Sequence, residues 1–228
     1  MENSGKIMEE TILFDLDGTL TDPKEGITRS VQYALQSFGI EEPDLDKLEV
    51  FIGPPLKEMF MEYARLTEEE GNQAVAKYRE RFAPVGILEN QVYDGIPAVL
   101  QSLKNAGYHI GLATSKPEIY ARQILEHFEL DRYFEEITGS ELSGQRTRKA
   151  EVIAEALRRM AAAPEHTVMV GDRRHDVEGA HANGVRCIGV LYGYGGREEL
   201  TEAGADEICG QVQDLIPCLM EKRKGGEV

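Results

Sequence analysis

Five short apolar runs constrain this chain more than any other feature: TILFDL at 11–16, HIGLAT at 109–114, EEITG at 135–139, TVMVGD at 167–172 and RCIGVLY at 186–192. Between the later runs lie IPAVLQSLKNAG, EIYARQILEHFEL, AEVIAEALRRMAA and HDVEGAHANG, whose apolar residues recur at the three-to-four spacing of a helix face. Strands alternating with helices predict a parallel sheet, and strands apolar on both faces predict a sheet covered on both sides. The expected class is α/β, a doubly wound parallel sheet with a Rossmann-like core.

One stretch breaks the alternation. From 22 to 90 the sequence reads as wholly helical, and its first helix is well signed. Asp22 stands as N-cap, Pro23 at the first helical position and Glu25 where a capping-box carboxylate would sit; Ile27, Val31, Leu35 and Phe38 form one stripe before Gly39. The return, APVGILENQVYDGIP at 83–97, reads as a connector. The expected organisation is a core at 1–21 and 91–228 with an inserted all-helical cap at 22–90, hung on two chain crossings that could act as hinges. A chain of 228 residues that is 41% hydrophobic can fill such a core.

Charge and cysteine usage narrow the function. A formal net charge of −16 argues against a nucleic-acid partner, because phosphate backbones need clustered Lys and Arg. If the substrate is an anion, a divalent cation and a few local basic groups must reverse the potential where it binds. The acidic run TEEEG at 67–71 reads as a solvated helix face. No run approaches the roughly 18 apolar residues of a membrane helix, and MENSGKIMEE lacks the apolar segment of a signal peptide. No membrane partner and a cytoplasmic location are therefore expected. Cys187, Cys209 and Cys218 are odd in number and lack C-x-x-C spacing, which suggests neither a disulfide framework nor a zinc site.

In a doubly wound sheet, ligands bind beyond the carboxyl ends of the strands. Asp15 and Asp17 close the first run, Thr114 and Ser115 the second, and Asp172 closes TVMVGD, while Lys149 begins a helix whose start could reach the same rim. Residues two apart on a strand project to one side, and Gly18 lets the chain turn tightly after them. Two like charges at the end of a buried strand are costly unless a cation lies between them and Asp172. With oxygen donors and no His or Cys cluster, Mg²⁺ is the ion expected. Such an ion would attract a phosphate, with Lys149 and the Thr114 hydroxyl completing its neutralisation and orientation.

DLDGT at 15–19, the strand ending in Thr114, Lys149 ahead of a helix, and GDRRHD at 171–176 together resemble, in order, the four motifs of the haloacid dehalogenase (HAD) superfamily of phosphohydrolases. The helical insert resembles that superfamily's C1-type cap, and the whole is similar to phosphoglycolate-phosphatase-like members. The resemblance implies that Asp15 attacks phosphorus to form an aspartyl-phosphate. Asp17 would protonate the leaving alcohol and later deprotonate water. Thr114, Lys149, Ser115 and Gly18 would hold the phosphate; Mg²⁺ would be bound by Asp15, the Asp17 carbonyl and Asp172, with Asp176 supporting from behind. Dehalogenases and phosphonatases similar to this family lack an aspartate at position 17, so Asp17 favours phosphate esters.

The expected partner is a small phosphorylated metabolite, with phosphoglycolate, a nucleoside 5′-monophosphate and a sugar phosphate as candidates. A phosphomutase on the same fold and a non-catalytic phospho-Asp signalling module are the alternatives. Gly53 and Lys57, in FIGPPLKEMF at 51–60, are candidate substrate contacts, the alternative being a plain helix start. Lys116, before Pro117, reads equally as an exposed charge; His175 reads as loop polarity, and YGYGG at 192–196 as a loop without a nucleotide fingerprint. Oligomeric state is not written in the sequence.

Overall fold

The structure is a computed structural model and describes residues 11–220. The reading of residues 1–10 as lacking a leader falls outside them. The elements are β1 (Thr11–Phe14), β2 (Thr21–Asp22), α1 (Lys24–Gln36), α2 (Leu56–Ala64), α3 (Glu68–Arg81), β3 (Gln91–Val92), α4 (Ile96–Asn105), β4 (His109–Pro117), α5 (Glu118–His127), β5 (Glu136–Ser140), α6 (Lys149–Met160), β6 (Thr167–Gly171), α7 (Arg174–His181), β7 (Arg186–Val190), α8 (Arg197–Glu202), β8 (Glu207–Cys209) and α9 (Leu215–Met220).

Six strands form one parallel sheet in the order β5-β4-β1-β6-β7-β8. The chain builds outward from β1 through β4 to β5, then returns to β6 on the other side, so the order reverses at β1. That reversal leaves a crevice beyond the carboxyl end of β1, where such sheets bind ligands. The pleat sorts β1 between two layers. Ile12 and Phe14 enter the cluster that includes Leu100, Leu103, Ile124 and Leu125 of α4 and α5, whereas Leu13 enters one with Val152, Ile153, Val177 and Ala180 of α6 and α7. The expected doubly wound α/β class is the observed one. The strand β8 and the helices α8 and α9 were not expected; three and six residues are too few to display a period.

Between β2 and β3 the chain is helical: α1, a 3₁₀ segment at Leu45–Phe51, α2, α3 and a wide π turn at Phe82–Gly86. The π turn is a correction to the expected connector, whose first residues continue α3, with Tyr78 and Phe82 stacked at 5.0 Å between ring centroids. The two crossings pair with each other, Thr21 opposite Val92 and Asp22 opposite Gln91, as a two-stranded antiparallel ribbon. The N-cap of α1 is Pro23, one residue later than expected, and Asp22 stands before it, accepting from the Lys24 N–H at 3.0 Å. Glu25 does not complete a capping box; its carboxylate pairs along the helix with Arg29 at 3.0 Å. The box belongs instead to α3, where Thr67 and Glu70 satisfy each other's backbone N–H groups, so TEEEG is a helix start as well as a solvated face.

Candidate active site

Asp15 follows β1 directly and keeps its ladder, donating its N–H to the Val170 carbonyl at 2.9 Å. Asp17 lies two residues on, and both carboxylates are buried. The like charges are separated because each aspartate has its own lysine. Lys149, the first residue of α6, brings Nζ to 2.9 Å from Asp15 Oδ1 and 2.7 Å from Asp176 Oδ1, and donates to the Ala113 carbonyl at 3.1 Å. Lys116 brings Nζ to 2.9 Å from Asp17 Oδ2 and lies over the Phe82 ring of the helical insert, 4.7 Å from its centroid. Burial alone would neutralise Lys149, but Asp15 and Asp176 outweigh it and hold the ammonium charged. Burial pushes the Asp17 carboxyl up, with Lys116 opposing and Asp15 adding to the rise.

Lys116 corrects the reading of an exposed charge: it is only 8% exposed. The register shows why. Ala113 of β4 pairs with Thr138, yet Pro117 pairs with Ser140, so Thr114, Ser115 and Lys116 bulge opposite the single residue Gly139. The bulge turns Lys116 inward and leaves its N–H donating to Thr114 Oγ1 at 3.3 Å. Thr114 is buried at the same rim, while Ser115 lines the adjoining cavities.

Asp172 follows β6 directly and Asp176 lies in the first turn of α7. Carboxylate oxygens of Asp15, Asp172 and Asp176 lie within 4.8 Å of one another, all buried. Asp172 Oδ2 accepts from the Tyr194 N–H at 2.7 Å, whereas Asp172 Oδ1 and Asp17 Oδ1 are buried without a hydrogen-bond partner among the described residues. Burial, then Asp176 and Asp15, push the Asp172 carboxyl well above the usual carboxylate range. An oxygen-only donor set with an orphaned carboxylate oxygen fits a hard divalent cation. Asp176 is already engaged on both oxygens, Oδ1 by Lys149 and Oδ2 by the Arg173 N–H at 3.0 Å, which suits support rather than direct ligation. Gly18 is required beneath this cluster: at φ +80° it turns the chain, and a Cβ there would stand 2.2 Å from Asp172 Oδ2.

The YGYGG segment is more than a loop. Besides the Tyr194 N–H on Asp172, the Tyr194 hydroxyl bonds Asp22 at the ribbon and the Tyr192 hydroxyl donates to the Thr19 carbonyl at 3.1 Å. His175 sits on α7 beside a smaller cavity of about 290 Å³ shared with Arg148 and Lys149; burial, with Arg173 and Arg174, lowers its pKa and favours the neutral ring. A cavity of about 770 Å³ opens between insert and sheet, lined by Asp17, Ser115 and Lys116 from the sheet side and by Phe51, Gly53 and Tyr78 from the insert. Lys57 lines it too, but its ammonium is paired with Glu68 at 2.7 Å.

The chain as a whole has known relatives. A family model described as haloacid dehalogenase-like hydrolase matches residues 12–190, and the chain belongs to that family. The 5′-nucleotidase of Pseudomonas aeruginosa is 52% identical over 204 residues, covering 90% of this chain and 92% of that protein. The tyrosine-protein kinase PtkA of Mycobacterium tuberculosis is 41% identical over 186 residues, 82% of this chain and 63% of that protein. The crystal structure of a predicted phosphatase from Clostridium acetobutylicum superposes with a TM-score of 0.92 at 48% identity, covering 93% of this chain and 99% of that one.

Proposed function

We propose that this HAD phosphatase is Mg²⁺-dependent and hydrolyses a small phosphomonoester through an aspartyl-phosphate on Asp15, with a nucleoside 5′-monophosphate as the leading substrate class. The observation that carries the reading is the division of the aspartates: Asp15 beside Asp172, Asp176 and Lys149, Asp17 beside Lys116 on the cavity wall. Asp15, Asp172 and the Asp17 carbonyl would hold the Mg²⁺, whose chemistry is to neutralise phosphoryl charge and fix the phosphate for in-line attack.

An Asp15 carboxylate oxygen attacks phosphorus, and the bond from phosphorus to the ester oxygen breaks as Asp17 gives that oxygen its proton. Water then attacks the aspartyl-phosphate, Asp17 takes its proton, and Asp15 returns as carboxylate with release of inorganic phosphate. Lys149 and the Thr114 hydroxyl offset and orient the phosphoryl oxygens. The upward shift of Asp17 is in the direction that favours a group that must carry a proton. We assign the segment 22–90 as a cap domain and 91–220, with 11–21, as the core.

The cavity favours a nucleotide. Its volume of about 770 Å³ lies within the roughly 300–1,000 Å³ that encloses a small-molecule ligand, and a two-carbon phosphate would fill only a fraction of it. Tyr78, Phe82 and Tyr120 line it, and the half-buried Tyr120 leaves aromatic surface that a base could meet. The likeness to a 5′-nucleotidase supports the same class. The test is phosphate release from a panel of nucleoside monophosphates, phosphoglycolate, sugar phosphates and phosphotyrosine. Nucleotides should give the highest kcat/KM; a preference for phosphoglycolate, or isomer formation without phosphate release, would overturn the assignment.

A further inference from the structure

The Arg173 side chain serves no part of the reaction above, yet it is bound at both ends. It lies in the turn between Asp172 and Asp176, and its Nη1 crosses to the insert to donate to the Ile52 carbonyl at 2.6 Å. Its Nε donates to Glu199 of α8 at 2.9 Å, and the same Glu199 oxygen accepts the Arg174 N–H at 2.9 Å, so the guanidinium is aimed from behind. The residue after Ile52 makes room for it: Gly53 has φ +102°, and a Cβ there would stand 3.0 Å from Arg173 Cγ. Ile52 is buried, and Gly53, Pro54 and Pro55 line the large cavity.

We propose that Arg173 is a positioning residue, a latch from the metal-binding turn that holds the Ile52–Pro55 wall of the cavity against the substrate. A planar guanidinium can satisfy a carbonyl and a carboxylate at once, which a single ammonium cannot do in the same geometry. The five residues 172–176 thus carry two of the three aspartates of the acidic cluster and the grip on the insert, so closure of the wall would be registered on the reacting centre. The inference goes beyond the reaction and rests on it only for the kinetic readout.

The test compares R173M, R173K and E199Q by hydrogen exchange over residues 52–55 and by kinetics with p-nitrophenyl phosphate. The latch predicts faster exchange at 52–55 and a KM raised roughly tenfold in R173M, the loss expected of a charge-assisted hydrogen bond. kcat should fall less than KM rises, with Mg²⁺ half-saturation within about twofold, since the backbone N–H on Asp176 survives the substitution. R173K should recover part of the KM, and E199Q should loosen 52–55 with the guanidinium still present, which also serves if R173M fails to fold. Unchanged exchange and KM would overturn the latch; so would a Mg²⁺ half-saturation shifting in step with kcat, which would make Arg173 a brace of the turn. If the wild-type chain releases no phosphate, the reaction is misread, and exchange in R173M still decides the latch.

Discussion

Lys149 provides the most direct test of the electrostatics. It is 6% exposed and contacts Asp15, Asp176 and the Ala113 carbonyl, each within 3.1 Å. Replacing it with Met preserves much of its length but leaves three buried carboxylates with no cation among them. Removing one partner of a buried pair costs about 3–5 kcal/mol because the remaining charge is uncompensated. Against a total stability of roughly 5–15 kcal/mol, this is a large fraction. The loss should have a distinctive pH dependence. The raised pKa values of Asp172 and Asp176 mean that the folded chain binds protons more tightly than the unfolded one. Their ionisation therefore destabilises the metal-free fold as pH rises through the folded-state values, and K149M should steepen that fall. Urea unfolding in EDTA at two pH values measures both effects, with the m-value as check on two-state behaviour. Mg²⁺ at about 100 times its dissociation constant should restore roughly 2.7 kcal/mol. A loss below about 1 kcal/mol in EDTA at pH 7.5, or one equal at pH 5 and 7.5, would refute the account of Lys149 as the cation of the cluster.

Replacing Asp15 with Asn should abolish turnover of p-nitrophenyl phosphate, and residual metal-independent activity in that variant would remove Asp15 as nucleophile. Asp17→Asn should slow turnover by about 100-fold or more, the usual worth of a positioned acid, while Mg²⁺ binding by calorimetry stays near wild type. Lys116 opposes the burial-driven rise in the Asp17 pKa, so K116M should move the limb of the pH–rate profile that belongs to Asp17 to higher pH; an unmoved limb would separate the two residues. Proton competition at Asp172 should weaken Mg²⁺ binding as pH falls through its raised pKa, beginning at a higher pH than an ordinary aspartate would allow.

The residues legible in the sequence were those at strand ends. Asp15, Thr114 and Asp172 could be placed because an apolar run ends immediately before each, and Lys149 because AEVIAEAL announces a helix start. What stayed hidden depends on register and on contacts distant along the chain. Lys116 faces inward only because three residues of β4 bulge against one of β5, and no spacing in TSKP encodes that mismatch; its nearest signal was adjacency to Thr114. Tyr194 reaches Asp172 across 22 positions through a backbone N–H, a group every residue but proline carries, so its identity gave no signal. Arg173 was visible as part of GDRRHD, but its partner is a carbonyl 121 positions away.

Pairing each aspartate with a separate lysine also explains how two neighbouring carboxylates can take different roles. Both sit at one strand end, both are buried, and their chemical identity is the same. Lys149 is shared with Asp176 at the acidic cluster, so Asp15 stays beside a fixed cation, as the proposed nucleophile would need. Lys116 is held between Asp17 and the Phe82 ring, and that ring belongs to the insert. Movement of the insert would alter what surrounds Lys116, and through it the proton affinity of Asp17, whereas it would reach the Lys149 cluster by a separate route, through Arg173. In the proposed reaction the acid would be tied to the insert and the nucleophile to the sheet. Displacing the insert would therefore act, in that reaction, on proton transfer through Lys116 and on the acidic cluster through Arg173, so that a closed wall and a competent acid would come together.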